Sequence, residues 1–127
     1  MEEKNFLHKS KIKSDHRLKK DKQFNYIYKK GKRKSTDNFT LYFIESKFDN
    51  YKIGFSVSKK QGKACKRNKL KRRLKNIVKT NHLPVNKYNF VILARDGASN
   101  LEFHELSNQI ISLFDKFYKE EKIEKHF

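Results

Sequence analysis

The sequence predicts an α/β sandwich, an α+β arrangement of helices against a small sheet. Three observations carry this. Segments with an apolar residue at every second position alternate along the chain with segments whose apolar residues recur at three and four. Their order is helix, strand, strand, helix, strand, helix, that of layered elements around one core. The chain has 127 residues, the length of one ordinary domain.

Residues 1–17 mix Lys, Ser, His and Glu with few apolar positions and read as a mobile basic arm. Residues 18–118 are expected to form the single domain, and residues 119–127 a C-terminal tail. A first helix starts at Asp21, a candidate N-cap, and places Phe24, Ile27 and Tyr28 at helical spacing. Gly31 is a fitting stop, because glycine takes the left-handed C′ conformation without a Cβ clash. Residues 39–44 read as a strand with Phe39, Leu41 and Phe43 on one face and Thr40, Tyr42 and Ile44 on the other. After an Asp49-Asn50 turn signal, residues 51–58 alternate again with Ile53, Phe55 and Val57 inward, so the two strands are expected to pair as an antiparallel hairpin.

Leu70, Leu74, Ile77 and Val78 then form one helical stripe at i, i+4, i+7 and i+8. At about 100° per residue, Asn68, Lys71, Arg72, Lys75 and Lys79 fall opposite it. The helix is expected to bury one face and present a nearly pure cationic one. Residues 88–95 read as a third strand whose run from Phe90 to Ala94 is continuously apolar, as expected of a strand buried on both faces. A final helix aligns Phe103, Leu106, Ile110, Leu113, Phe114 and Phe117, with Ser99 or Asn100 as candidate caps.

Charge selects the partner. With 32 Lys and Arg against 14 Asp and Glu the formal charge is +18, and the isoelectric point is near 10.0. Residues 59–79 hold eleven Lys or Arg and no acid. Such a field favours a polyanion over a small-molecule substrate. A mean hydropathy of −1.00 resembles a disordered chain, but 11 Phe and 6 Tyr supply a core. There is no run of about 18 apolar residues and no apolar signal core, so no membrane span or secretion is expected. Together with a single cysteine this favours a cytoplasmic protein.

The candidates for chemistry are isolated. No Ser, Cys or Thr stands with a base and an orienting acid in any motif. Cys65 reads as a small filler at a helix start. His8, His16, His82, His104 and His126 are scattered without Cys or carboxylate at ligand spacing, so no protein metal site is expected. The glycines make no phosphate-binding fingerprint. What remains is a binding surface: a cationic helix for phosphates, and Phe24, Tyr28 and Tyr42 as faces on which unpaired bases stack. By periodicity alone Phe24 is equally a core residue, whereas Tyr42 lies on the more polar strand face.

Residues 51–75, with Gly-Phe-Ser-Val-Ser-Lys-Lys at 54–60, Gly62 and Ala64 in the spacer, and Arg67-Asn68-Lys69 followed by Lys71-Arg72, closely resemble the signature of the protein subunit of bacterial ribonuclease P. Residues 18–31 resemble that family's first helix and residues 88–99 its late strand and turn. The resemblance implies a two-layer sandwich of a four-stranded sheet and three helices. It also implies a left-handed βαβ crossover like that of a ribosomal-protein second domain, with the fourth strand near residues 34–37.

It implies, too, a partnership with a large catalytic RNA that removes the 5′ leader from precursor tRNA, using Mg2+ bound mainly by the RNA. No protein catalytic residues are then expected. Phe24, Tyr28 and Tyr42 match the leader-binding aromatics. Lys59, Lys60, Lys66, Arg67, Asn68, Lys69, Lys71, Arg72 and Lys75 fall to the surface for the catalytic RNA. Lys69 stands where Arg is usual in that family, Cys65 where a β-branched residue such as Val is usual and Asn76 where Glu is usual. Lys69 keeps the charge and loses the bidentate fork.

Other classes fit less of the sequence. A ribosomal-type RNA-binding protein would share charge and fold without a leader cleft. A protein-only nuclease would need Asp15, Asp21, Asp37 or Asp96 gathered at a metal. A membrane-active helix over residues 63–79 would want aromatics in its apolar stripe.

Overall fold

The computed structural model describes residues 16–18 and 21–124; of the arm expected over residues 1–17, residues 1–15 lie outside them. Three helices, α1 (Asp21–Lys30), α2 (Ala64–Thr80) and α3 (Phe103–Glu120), pack on strands β1 (Lys32–Ser35), β2 (Phe39–Glu45), β3 (Lys52–Ser56) and β4 (Tyr88–Ala94). Single 3-10 turns lie at Lys59–Gln61 and Ala98–Asn100.

The sheet order is β1-β2-β4-β3. The hairpin expected between residues 39–44 and 51–58 is therefore corrected: β4 lies between them, antiparallel to β2 and parallel to β3. The reason is in the side chains. β2 and β3 each expose part of one face, whereas Phe90, Val91 and Ile92 are all fully buried, and a strand apolar on both faces belongs at the centre. β3, α2 and β4 thus form the strand, helix, strand crossover.

Alternation along β4 divides the core in two. Phe90, Ile92 and Ala94, with Phe39, Leu41, Phe43 and Ile53, face the stripe Leu70, Leu74, Ile77 and Val78 of α2 and the apolar face of α3. Phe117 anchors this side, its ring edge-on to Phe43 at 4.8 Å and to Phe90 at 5.1 Å. Val91 points the other way, into a smaller cluster with Ile27 and Leu18. The expected two layers are present, and α1 adds partial cover on the opposite face.

β1 reads Lys-Arg-Lys-Ser and has no apolar pattern to reveal it. Ties from α3 and its C-cap residue Glu121 hold it against β2: Lys34 to Glu120 at 2.8 Å, Lys32 to Glu121 at 2.9 Å, and Lys116 donating to the Ser35 carbonyl at 2.8 Å. Tyr88 donates to the second Glu121 oxygen at 2.8 Å. A short, charged edge strand also resists pairing with another chain. It lies two residues earlier than the expected 34–37.

Other expectations are corrected in detail. α3 runs past residue 118, so Glu120 and Glu121 belong to the domain. His16 and Arg17, assigned to the arm, already pack on β3: the His16 ring stacks on Tyr51 at 4.1 Å and Arg17 bridges Ile53. Gly31 ends α1 without a positive φ; a Cβ there would meet the carbonyl oxygens of Ile27 at 2.7 Å and Phe43 at 2.8 Å, so close backbone approach, not handedness, requires glycine. Phe103 is 43% exposed. Glu102 occupies the N-cap position of α3 without a side-chain cap, and Ser99 instead bonds Gln61. Cys65 is exposed, not a filler.

Candidate nucleic-acid interface

α1 crosses the sheet face that α2 and α3 leave open. Its second turn presents Phe24 and its third Tyr28, spaced i and i+4 so that both point the same way. Phe24 rests on Gly54 of β3, where a Cβ would come within 2.4 Å of its ring. The Tyr28 ring meets Tyr42 of β2 edge-on, centroids 4.8 Å apart at 76°. All three aromatics are half-buried against the Leu18, Ile27 and Val91 cluster. The structure therefore brings the three sequence-predicted aromatics together, each with part of a ring in solvent.

Beside them runs a groove of about 440 Å3 lined by Asp21, Phe24, Asn25 and Tyr28 of α1, residues 55–57 at the end of β3, and Lys71 of α2. Tyr42 stands behind Tyr28 rather than in this lining. Asn25 and Ser56 supply hydrogen-bonding groups that neither periodicity nor charge singles out. The volume suits a nucleotide-sized group, with aromatic faces for a base and an ammonium for a phosphate.

The basic residues surround α2 on its solvent sides. Lys59 and Lys60 are exposed on the 3-10 turn before it. Gln61, 5% exposed, fixes that turn by donating to the Arg95 carbonyl at 2.7 Å and accepting from the Ser99 amide at 3.2 Å. Lys66, Asn68, Lys69 and Arg72 are exposed, and Arg67, Lys71 and Lys75 partly buried. Arg67 donates from Nε to the Gly62 carbonyl at 3.2 Å, which steadies its guanidinium at the helix start. Instead of one cationic face, Lys71 borders the aromatic groove, while Lys66 and Lys69 border a separate hollow with Arg73. Lys60 lies in a third, with Asp37, Ser58, Arg95 and Asp96.

Of the acids weighed for a nuclease, Asp15 lies outside the described residues, Asp21 lines the groove, and Asp37 and Asp96 share the third hollow with two cations. Carboxylates do flank His104, contrary to the expectation from spacing: Glu102, His104 and Glu105 offer atoms within 4.8 Å of one another. All three are exposed, and the Glu102–His104 pair at 3.6 Å accounts for the grouping. Among the described residues no helix is long and apolar enough to cross a membrane.

A family model described as Ribonuclease P matches residues 12–118. The chain belongs to the ribonuclease P protein family. It is 33% identical over 100 residues to the ribonuclease P protein component of Streptococcus agalactiae serotype V, covering 79% of this chain and 92% of that protein. It is 31% identical over 121 residues to that of Streptococcus pyogenes serotype M5, covering 91% and 100%. Among solved structures it is similar to the Staphylococcus aureus RNase P protein, with a TM-score of 0.75 at 30% identity, covering 80% of this chain and 94% of that one. The RNase P protein from Thermotoga maritima gives 0.72 at 28% identity, covering 79% and 96%. The family match includes both the aromatic groove and the basic helix.

Proposed function

We propose that the chain acts as the protein subunit of a ribonucleoprotein endonuclease that removes the 5′ leader from precursor tRNA. In this reading the partner RNA is catalytic, and the protein grips that RNA through α2 and holds the single-stranded leader along the groove between α1 and the sheet. The observation that carries it is the sharing of Lys71: one groove combines half-exposed Phe24 and Tyr28 with a cation of the basic helix. Stacking on an aromatic face contributes about 1–3 kcal/mol per base and tolerates any sequence, as a leader that differs between substrates requires.

Magnesium takes most of its ligands from phosphates and water, with one or two carboxylates at most. Asp21 is the one carboxylate lining the groove, so the protein fits at most as a single ligand and the RNA supplies the rest. Bound there, magnesium would activate the attacking water and steady the leaving oxygen. The chain's own residues orient the leader by stacking and neutralise phosphates crowded near the scissile bond, which favours both substrate and cation binding.

The test is cleavage of a 5′-extended precursor tRNA at low magnesium by the RNA alone, the protein alone and the two together. Cleavage at the mature 5′ end that requires the RNA and is strongly increased by the protein is expected. A mixture no faster than the RNA alone overturns the reading.

A further inference from the structure

The two flanks of α2 are not alike. Toward α1, Lys71 borders the aromatic groove. On the opposite flank, where α2 meets the start of α3, Lys66, Lys69 and Arg73 rim a hollow of about 100 Å3 completed by Leu70, Ser99, Leu101 and Leu106. The spacing i, i+3, i+7 stacks the three cations along one side of the helix, and no carboxylate lines the hollow. Glu102, the nearest acid in sequence to the Leu101 wall, pairs with His104.

The walls are fixed. Ser99 is held to Gln61 through both its amide and its hydroxyl, at 3.2 and 2.9 Å. Leu70 and Leu106 belong to the core. Lys66 donates to Asn100 Oδ1 at 2.9 Å, which places its ammonium at the rim and leaves two further N–H donors. Three like charges along one helix side repel one another in the free protein, and an anion relieves that repulsion.

Size selects the anion. A volume of about 100 Å3 is well below the roughly 300 Å3 at which small-molecule pockets begin. It admits one tetrahedral group and no nucleobase. We propose that this hollow is a subsite for one RNA backbone phosphate, clamped by the planar fork of Arg73 and neutralised by Lys66 and Lys69. It rests on the reading in which α2 grips RNA, and adds a contact on the flank turned away from the leader groove. Arg73 then joins the interface, a residue the sequence did not single out.

The test measures binding of the full chain to the catalytic RNA and to an unrelated RNA of equal length across a salt series, for the unaltered protein, Arg73→Gln and Arg73→Lys. Arg73→Gln is expected to lower the slope of log affinity against log salt by about one, with Arg73→Lys restoring most of it, and preference for precursor over mature tRNA unchanged. An unchanged slope in an Arg73→Gln protein of native helical content overturns the subsite, as does an unchanged slope for Lys69→Gln. If the unaltered protein does not prefer the catalytic RNA, the proposed function fails, yet the slope loss on both RNAs still reports the subsite. Inorganic phosphate that shifts the Arg73 side-chain resonance while the RNA slopes stay equal would identify a free-anion site and overturn the RNA assignment.

Discussion

Phe24 of α1 lies so close over Gly54 of β3 that a Cβ at residue 54 would stand 2.4 Å from the ring. The aromatic wall of the groove is therefore set by the absence of a side chain on another element. Gly54→Ala is expected to push the Phe24 ring out of place. The overlap with Phe24 is at the far end of that side chain, so rotation relieves it, and Leu18, whose Cβ would lie 3.2 Å away, has to give by only a few tenths of an ångström. Loss of one stacking face of about 1–3 kcal/mol corresponds to a roughly 5- to 150-fold fall in preference for precursor over mature tRNA. Affinity for the catalytic RNA should hardly move. Unchanged discrimination between the two tRNAs would remove Phe24 from the leader path.

Tyr28 and Tyr42 brace one another edge-on, a geometry contributing about 0.5–1.5 kcal/mol beyond burial. Tyr42→Ala removes both its own exposed face and the support that orients Tyr28. Tyr42→Phe keeps the ring and should bind leader nearly as the unaltered protein does. Binding measured against leaders of increasing length separates the cases: Tyr42→Ala should flatten the gain that the leader provides. A parallel loss of affinity for mature tRNA would point to a surface for folded RNA instead.

How much of this was legible follows from what leaves a pattern. The stripe Leu70, Leu74, Ile77 and Val78 is buried as its periodicity requires, and Phe24, Tyr28 and Tyr42 pack against one small cluster. Pairing was not legible, because alternation in β2 and β3 specifies which faces are buried and not which strand lies alongside. β1 carries no apolar residue; its pairing with β2 makes it a strand, and its ties to Glu120 and Glu121, far away in sequence, hold it from the other side. Arg73 and Ser56 likewise gain meaning only from what stands opposite them.

The ties on β1 make it sensitive to acid. The hydrogen bond and charge of Lys34 hold the Glu120 carboxyl below the usual carboxylate range, so the tie is complete above the ordinary carboxylate pKa and is lost as pH falls through the lowered one. Lys32 is raised by its hydrogen bond to Glu121, so the lysine's own contribution to that tie is complete below the ordinary lysine pKa and is lost as pH rises through the raised one. Exposure keeps both effects small. Amide exchange of β1, corrected for intrinsic rates, should quicken in acid. Glu120→Gln should show the quickened rate already at neutral pH, and equal protection at pH 3 and 7 in the unaltered chain would refute the tie.

Arg72 offers the cleanest measure of what the cationic sides of α2 do. It is exposed, and its removal opens no cavity. A phosphate contact releases condensed counterions from RNA, so each one lost should lower the salt slope by about one. Arg72→Gln is expected to show that drop on the catalytic RNA, and Arg67→Gln the same; in the double variant the losses should add if the two touch separate phosphates. Arg67 differs in one respect, since its Nε is committed to the Gly62 carbonyl. Arg67→Lys should therefore cost more affinity than Arg72→Lys, because only the guanidinium can hold the helix start and reach a phosphate together. Equal effects of the two lysine variants would show that charge alone matters at residue 67.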